Sequence, residues 1–315
     1  MPRYAHFDPA PRSPKHVSPA GACDSQVHIF GDPIRFPTRP DAAYVVLDAT
    51  VEAMLDMHKE LGIERGVIVQ STAYGTDHGA LVEALKVAGD GYRGCGVVND
   101  SVSDDELAEM HEAGVRGARF NFHPKLRNSL PTPEEVRRTA ARVVPLGWHL
   151  KLHMNGIDPR EVTPLLDDVE ANVVIDHMGP LRYQYGTADA HFRHVLELLA
   201  RGNWWVMLSN GDRRSATGYP WDDATAYARE YIQHAPSRVL WATDWPHPLH
   251  PGPVPNDGEL LDLLARYAPD ERTRRQILVT NPRRLFAFAD GTDADDGPDA
   301  DDGMGEAGGV LDDQQ

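Results

Sequence analysis

The sequence has little of what marks secreted, membrane-spanning or nucleic-acid-binding proteins. Its 315 residues include only two cysteines, Cys23 and Cys95, too few for a disulfide framework or a cysteine-based zinc site. It lacks an apolar run of the roughly 18 to 20 residues that a membrane span needs, and its first 20 residues lack the apolar core of a signal peptide. We therefore expect a cytoplasmic protein.

Positive charge is also scarce. Acidic residues outnumber Lys and Arg by 48 to 31, which disfavours binding to nucleic acid or to an anionic membrane, because phosphates are held by cations. We expect a small-molecule partner, with no nucleic acid and no membrane, and leave a homo-oligomer open.

The two ends differ in composition from the middle. Residues 1–21 are rich in proline, and residues 290–315 hold ten acidic residues and no Lys or Arg. Neither end has enough large apolar side chains to offset the entropy lost on ordering. We predict a disordered or loosely attached N-terminal segment at 1–21, one globular domain at 22–289 and an acidic disordered tail at 290–315.

The middle of the chain alternates short apolar runs with amphipathic stretches of helical spacing. The eight apolar runs are at residues 23–29, 66–70, 94–98, 117–120, 149–153, 173–176, 204–208 and 239–243. Helices are predicted between them, at 50–61, 80–88, 103–113, 132–144, 189–200 and 224–234. Eight strands separated by helices in about 265 residues match a single-domain (β/α)8 TIM barrel. An open doubly wound sheet is disfavoured, since no Gly-x-Gly-x-x-Gly follows the first run.

Polar and titratable side chains close several of these apolar runs. Active sites of such barrels lie at the C-terminal ends of the strands, so residues there are expected to converge. The side chains in question are Gln26, His28, Arg119, Asn121, His153, Asp176, His177, Asp244 and His247. Several imidazoles and a carboxylate meeting in one place are costly to bury without a polar purpose, so we interpret them as one site.

Ordered motifs from residue 23 to residue 288 resemble a known family. They are DSQVHIFG at 24–31, GARFNF at 117–122, DHMG at 176–179, LWATDWPHP at 240–248 and NPRRLF at 281–286. The set resembles the amidohydrolase superfamily, and within it the amidohydrolase-related branch of pyrone dicarboxylate hydrolases and related lactonases. That resemblance implies an enzyme of aromatic or sugar-acid catabolism that opens the lactone ring of a small carboxylated acid.

The resemblance also implies roles for the strand-end residues. Asp244 corresponds to the general base that activates water, and His28 and His177 to the groups that polarise the carbonyl. Gln26 stands where the family usually has the first histidine of Asp-x-His-x-His, and its amide N–H is able to join them. Lactone isomerases of the same branch resemble this chain at Gln26 but lack the strand-eight aspartate, so the retained Asp244 favours hydrolysis.

Metal dependence is open from the sequence. Most amidohydrolases bind one or two divalent ions, and by resemblance the ligands here would be His28, His153, Asp244 and His177. Glutamine is a poor replacement for imidazole as a ligand, and the pyrone dicarboxylate hydrolases work without metal. We expect no required cofactor, with a single zinc ion as the alternative.

Cations near the strand ends are candidates for binding a substrate carboxylate. By resemblance these are Arg119, Lys125 and Arg213, with Lys125 standing where an arginine is expected. Tyr44, Thr72, Gln26 and His153 complete the implied substrate contacts. Three other functions remain open: a single-zinc hydrolase or decarboxylase, a lactone isomerase, and a non-catalytic barrel that binds small acids.

Overall fold

The computed structural model describes residues 7–45, 48–123 and 131–289. Its centre is a sheet of eight parallel strands in the order β1 to β8, each paired with the next. The strands are Cys23–Val27 (β1), Arg65–Val69 (β2), Tyr92–Val97 (β3), Val115–Asn121 (β4), His149–His153 (β5), Val173–Ile175 (β6), Trp204–Leu208 (β7) and Val239–Trp241 (β8). The predicted (β/α)8 TIM barrel is confirmed, with every predicted run on a strand.

Helices lie between the strands and cover the outside of the sheet. They are Val51–Leu61 (α1), Gly79–Ala88 (α2), Asp104–Glu112 (α3), Pro133–Val143 (α4), Ala190–Ala200 (α5), Gly211–Arg214 (α6), Asp222–His234 (α7), Asp257–Tyr267 (α8), Glu271–Arg275 (α9) and Asn281–Phe286 (α10). All six predicted helices form. Ser103 and Thr132 begin α3 and α4 as capping boxes with Glu106 and Glu135.

The barrel closes where β8 returns to β1. A parallel bridge joins Val27 to Trp245, the N–H of His28 donates to the carbonyl of Trp245 at 2.7 Å, and the N–H of Asp244 donates to the carbonyl of Gln26 at 3.1 Å. We call this junction the seam. It places the ends of β1 and β8 side by side.

Residues of the N-terminal segment contact the barrel at several points from Phe7 onwards. The Phe7 ring is 4.6 Å from the Trp245 ring, the N–H of Arg12 donates to Oδ1 of Asn256 at 2.9 Å, and Ser18 donates to the carbonyl of Leu61 at 2.7 Å. Composition does not reveal these contacts because their partners, Leu61, Trp245 and Asn256, lie far along the chain. The predicted acidic tail at 290–315 lies outside the described residues.

Within the described residues, no helix combines the length and apolarity needed to cross a bilayer. Both cysteines are buried and unpaired in strands, and burial raises the pKa of Cys95 to about 12, so they are inert core residues.

Candidate active site

Four of the predicted residues meet at the seam around the carboxylate of Asp244. Gln26 donates from Nε2 to Oδ1 of Asp244 at 2.7 Å, and Nε2 of His28 lies 3.3 Å from the same oxygen. Nε2 of His177 is 3.9 Å from Oδ1 of Asp244 and 3.4 Å from Nε2 of Gln26. All four side chains are buried, so the predicted convergence of β1, β6 and β8 is present in the structure.

The backbone at this cluster is unusual. Asp244 has φ +63° and His177 has φ +54°, in the left-handed region that costs a residue with a side chain about 1 to 3 kcal/mol. Such conformations persist only where the surroundings fix them. His177 lies two residues after the end of β6 and Asp244 three residues after the end of β8, so both belong to loops at the C-terminal ends of the strands.

Each histidine is oriented by a second contact. Nδ1 of His28 is 2.6 Å from the carbonyl of Val69; a carbonyl only accepts, so this nitrogen carries a proton and Nε2 faces Asp244. Nδ1 of His177 is 2.9 Å from the hydroxyl of Ser209, at the end of β7. Sequence reasoning missed Ser209, although it closes an apolar run as the other site residues do.

Electrostatics fix the charge states of Asp244 and His177. Burial alone raises the pKa of Asp244, but His177, a hydrogen bond from His28 and the charge of Arg213 outweigh it, and the pKa lies well below its usual value. Burial lowers the pKa of His177 to about 4, against the opposing charges of Asp244 and Asp176. At neutral pH the site therefore holds a carboxylate beside a neutral imidazole.

Arg213 stands over the other oxygen of Asp244. Its Nη2 is 3.5 Å from Oδ2, while Nη1 donates to the carbonyl of Pro248 at 2.8 Å. It projects from the short helix α6, and Nε has no hydrogen-bond partner among the described residues. Arg213 thus joins the cluster as its nearest fixed cation.

Arg119 lies at the end of β4 within a buried ion network. Its Nη2 is 3.3 Å from Oδ2 of Asp176, and Nζ of Lys151 is 2.6 Å from Oδ1 of the same carboxylate. Nη1 donates to the carbonyl of Gln70 at 3.3 Å, whereas Nε has no partner among the described residues. The pair of Asp176 and Lys151 keeps the guanidinium in place; the sequence placed Asp176 at the site but did not predict its pairing with Arg119.

A cavity of about 650 Å³ opens beside Arg119 at the ends of β3 and β4, and Thr72, Asn99 and Asn121 line it as well. Tyr44 is buried, with its hydroxyl 2.5 Å from that of Ser71, the residue before Thr72. The cavity volume suits a small-molecule ligand.

His153, at the end of β5, is the least satisfied group of the site. Its ring lies edge-on to His177 at 5.2 Å between centroids, and neither ring nitrogen has a hydrogen-bond partner within the described part of the chain. Burial, reinforced by His177 and Arg119, holds its pKa well below the usual value. A buried, neutral, unpaired imidazole is free to bind a substrate oxygen. Lys125 lies outside the described residues.

The donor atoms around Asp244 bear on whether the site could hold a metal ion. Over the described ranges, no three His, Cys, Asp or Glu side chains are arranged to hold one. Gln26 places an N–H donor on Oδ1 of Asp244, the oxygen that also faces His28 and His177, so a cation there would meet a donor instead of a lone pair. We derive no step through a metal.

Comparison with known proteins gives one family. The model of the family described as "Amidohydrolase" matches residues 16–288. A 2-pyrone-4,6-dicarboxylate hydrolase of Comamonas testosteroni is 36% identical over 285 residues, covering 88% of this chain and 93% of that protein. A 4-sulfomuconolactone hydrolase of Rhizobium radiobacter is 33% identical over 270 residues, covering 85% and 90%.

A solved structure agrees with these relatives. It is a protein of Acinetobacter baumannii described as a probable 2-pyrone-4,6-dicarboxylic acid hydrolase with citric acid bound. It is 25% identical, with a TM-score of 0.74, and the match covers 85% of this chain and 100% of that one.

Proposed function

The chain belongs to the amidohydrolase family, and on that premise we propose that it is a hydrolase that opens the lactone ring of a small carboxylated acid. The observation that carries the proposal is the meeting of Asp244, His28 and His177 beside Arg213. A cavity lined by Arg119 opens at the ends of β3 and β4 of the same barrel. The proposal includes a cytoplasmic location and a place in aromatic or sugar-acid catabolism.

In the proposed reaction Asp244 acts as the general base. Its lowered pKa keeps it ionised, and among the described residues Oδ2 has one polar contact, with Nη2 of Arg213 at 3.5 Å. A water held there loses its proton to Oδ2 as its oxygen attacks the lactone carbonyl. Oε1 of Gln26, which has no hydrogen-bond partner in the described residues, is available to accept from the same water.

The carbonyl oxygen gains negative charge as the tetrahedral intermediate forms, and the histidines are placed to stabilise it. Because Nδ1 of His28 is committed to the carbonyl of Val69, the ring presents Nε2 to the reaction centre, next to the carboxylate of Asp244. His177 donates from Nε2 when the Ser209 hydroxyl donates to Nδ1. When the tetrahedral intermediate collapses, the ring C–O bond breaks. The leaving oxygen takes the proton from Asp244, and the product is a hydroxy acid.

The two arginines near the site favour a substrate that carries negative charge. Arg119 and Arg213 each leave Nε without a partner within the described ranges, and a guanidinium binds a carboxylate by charge-assisted hydrogen bonds. The relatives named above act on a dicarboxylate and a sulfonated lactone by their names, and a solved relative binds citric acid. A lactone with one or more anionic substituents is therefore the proposed substrate class.

The test is a panel of pyrone carboxylates, muconolactones and sugar-acid lactones, each with an uncharged analogue, assayed in water enriched in ¹⁸O. Hydrolysis places one ¹⁸O in the product, whereas an isomerase gives a product of unchanged mass. Turnover of an anionic lactone with ¹⁸O uptake supports the proposal. Mass-neutral conversion would make the chain an isomerase, and binding without turnover across the panel would make it a non-catalytic barrel.

The absence of a required metal is part of the proposal and has its own test. Enzyme purified without chelator is analysed for metals, then assayed before and after treatment with a chelator. Unchanged turnover by the metal-depleted enzyme supports the proposal that no metal is required. Stoichiometric zinc that is lost together with activity would favour the single-zinc hydrolase or decarboxylase.

A further inference from the structure

One buried carboxylate that the proposed chemistry does not use, that of Asp24, adds side-chain hydrogen bonds across the seam. Oδ1 of Asp24 accepts from the N–H of Gln26 at 3.1 Å and from the N–H of Thr243 at 3.1 Å. Its Oδ2 accepts a short hydrogen bond from the hydroxyl of Thr243. Asp24 is fully buried, so these bonds form without competition from water.

The bonds from Asp24 reach both neighbours of Asp244 in the chain. Thr243 is held directly, through its N–H and its hydroxyl. Trp245 is held through Thr243, because Oγ1 of Thr243 accepts from the N–H of Trp245 at 3.1 Å. Asp244, between them, has the left-handed φ of +63°, which needs such surroundings to persist.

Asp24 is itself held from the far side of β1. Nε2 of His58, in α1, lies 3.4 Å from Oδ2 of Asp24, and Nδ1 of His58 is 2.8 Å from the hydroxyl of Tyr92 in β3. His58 and Tyr92 are buried and their rings are stacked, with 5.8 Å between centroids. The chain from Tyr92 to Thr243 therefore crosses the wall of the barrel and ends beside Asp244.

We propose that Asp24 is a positioning residue for Asp244: it fixes the backbone on either side of that residue and so aims the carboxylate at Gln26, His28 and Arg213. The kinetic consequence rests on the proposed function, but the conformational consequence does not. Asp24 touches no reacting atom in this role.

The first experiment measures amide hydrogen exchange by mass spectrometry in the full chain carrying Asp24→Asn. The amide keeps one acceptor oxygen but turns a donor toward Thr243 and His58. We expect the exchange rate in peptides covering residues 243–247 to rise at least about tenfold. Losing a buried charge-assisted hydrogen bond makes local opening of this segment more favourable by a factor of that size.

Asp189→Asn is the matched control. Asp189 is a buried aspartate that accepts from the N–H groups of His191 and Phe192 at the start of α5, away from the seam. The Asp189→Asn variant should leave the exchange rate of residues 243–247 unchanged. Equal exchange in wild type and Asp24→Asn, or an equal rise in both variants, would overturn the proposal. If Asp24→Asn does not fold, Thr243→Val removes the hydroxyl link alone and is judged by the same criterion.

The second experiment uses any lactone that the wild type hydrolyses. Asp24→Asn should lower kcat by about 10- to 100-fold while KM changes less than about threefold, since Arg119 and Arg213 still bind the substrate. Thr243→Val should give a smaller loss in kcat, and Asp189→Asn none. Unaltered kcat in a folded Asp24→Asn would overturn the proposal. If the wild type hydrolyses no lactone, the proposed function fails and the exchange measurement still decides the role of Asp24.

Discussion

Nε2 of Gln26 lies 2.7 Å from Oδ1 of Asp244, across the seam between β1 and β8. A neutral amide thereby satisfies one oxygen of the carboxylate and leaves the other to face Arg213. The family resemblance places a histidine at this position. Glutamine at this position thus changes what the carboxylate touches.

Gln26→His should create a metal site. The new imidazole would join His28 and His177 around Asp244 and would replace a donor by a lone pair, completing a set of ligands that zinc prefers. We expect the variant to hold close to one zinc per chain after dialysis, measured by elemental analysis, and to melt at a higher temperature with zinc. Gln26→Asn is the control without an added ligand. A variant that takes up no zinc would show that the cluster cannot contract around an ion.

Asp244→Asn should abolish turnover and leave the fold intact. The amide keeps the volume of the side chain but cannot accept a proton from water, and general-base catalysis is worth about 100-fold or more. The measurements are kcat on a hydrolysed lactone and circular dichroism. If the variant retains more than about a tenth of kcat, Asp244 is not the base.

Arg119→Met should weaken the use of anionic substrates only. Asp176 keeps its ion pair with Lys151, so the network survives, while a carboxylate loses a charge-assisted pair worth about 1.5 to 3 kcal/mol. We expect kcat/KM to fall about 10- to 100-fold for an anionic lactone and little for its uncharged analogue. Arg119→Lys keeps the positive charge but lacks the paired N–H groups of the guanidinium. Its kcat/KM for the anionic lactone should lie between those of the wild type and Arg119→Met. Equal losses on both substrates would assign Arg119 to support of the barrel rim.

His149→Gln should reduce the loss of stability in acid. His149 is buried against Phe286, and burial, together with Lys151, lowers its pKa to about 3. Below about pH 6.5 the unfolded histidine binds a proton that the folded one excludes, so stability falls as pH falls, by up to about 1.4 kcal/mol per pH unit for each such group. Urea unfolding at pH 7.5, 6.0 and 5.0 should show a shallower decline in His149→Gln than in wild type. The exposed His234 supplies the control, His234→Gln; an identical decline in all three proteins contradicts the prediction.

Gly258→Ala tests the docking of the N-terminal segment. In helix α8 alanine is intrinsically favoured by up to about 1 kcal/mol, but a Cβ at Gly258 would lie 2.0 Å from the carbonyl oxygen of Arg12. We therefore expect a lower melting temperature in the full chain and a higher one when residues 1–15 are deleted. A rise in both backgrounds would mean that the segment does not occupy this place in solution.

The barrel could be predicted because its signals are local. Eight apolar runs of strand length, separated by helices with Ser103 and Thr132 as caps, determine the element order, and the predicted bounds of β5 and β7 are those of the structure. The convergence of Asp244, His28 and His177 follows once the strands are parallel, since their C-terminal ends meet.

The pairings within the site could not be predicted in the same way. Whether Arg119 faces a substrate or Asp176 depends on distances between strands that no local pattern contains. The role of Asp24 was missed although a signal was present: Asp24, Gln26 and His28 alternate along β1 and so share one face. The docked segment at 7–21 was missed because its bonds are made to Asn256, Glu259 and Asp262, far along the chain.

The seam has a consequence for how the chain acquires its activity. Gln26 and Asp244 are 218 positions apart, so the reacting groups come together through one of the longest-range contacts in the fold, of the kind that forms slowly. A nascent chain that has released β1 to β7 from the ribosome still lacks the carboxylate that its histidines surround. A circular permutation that joins the two ends of the chain and opens it between α4 and β5 would bring this pair to roughly half that separation along the chain, and it should shorten the delay between collapse and the appearance of a competent site.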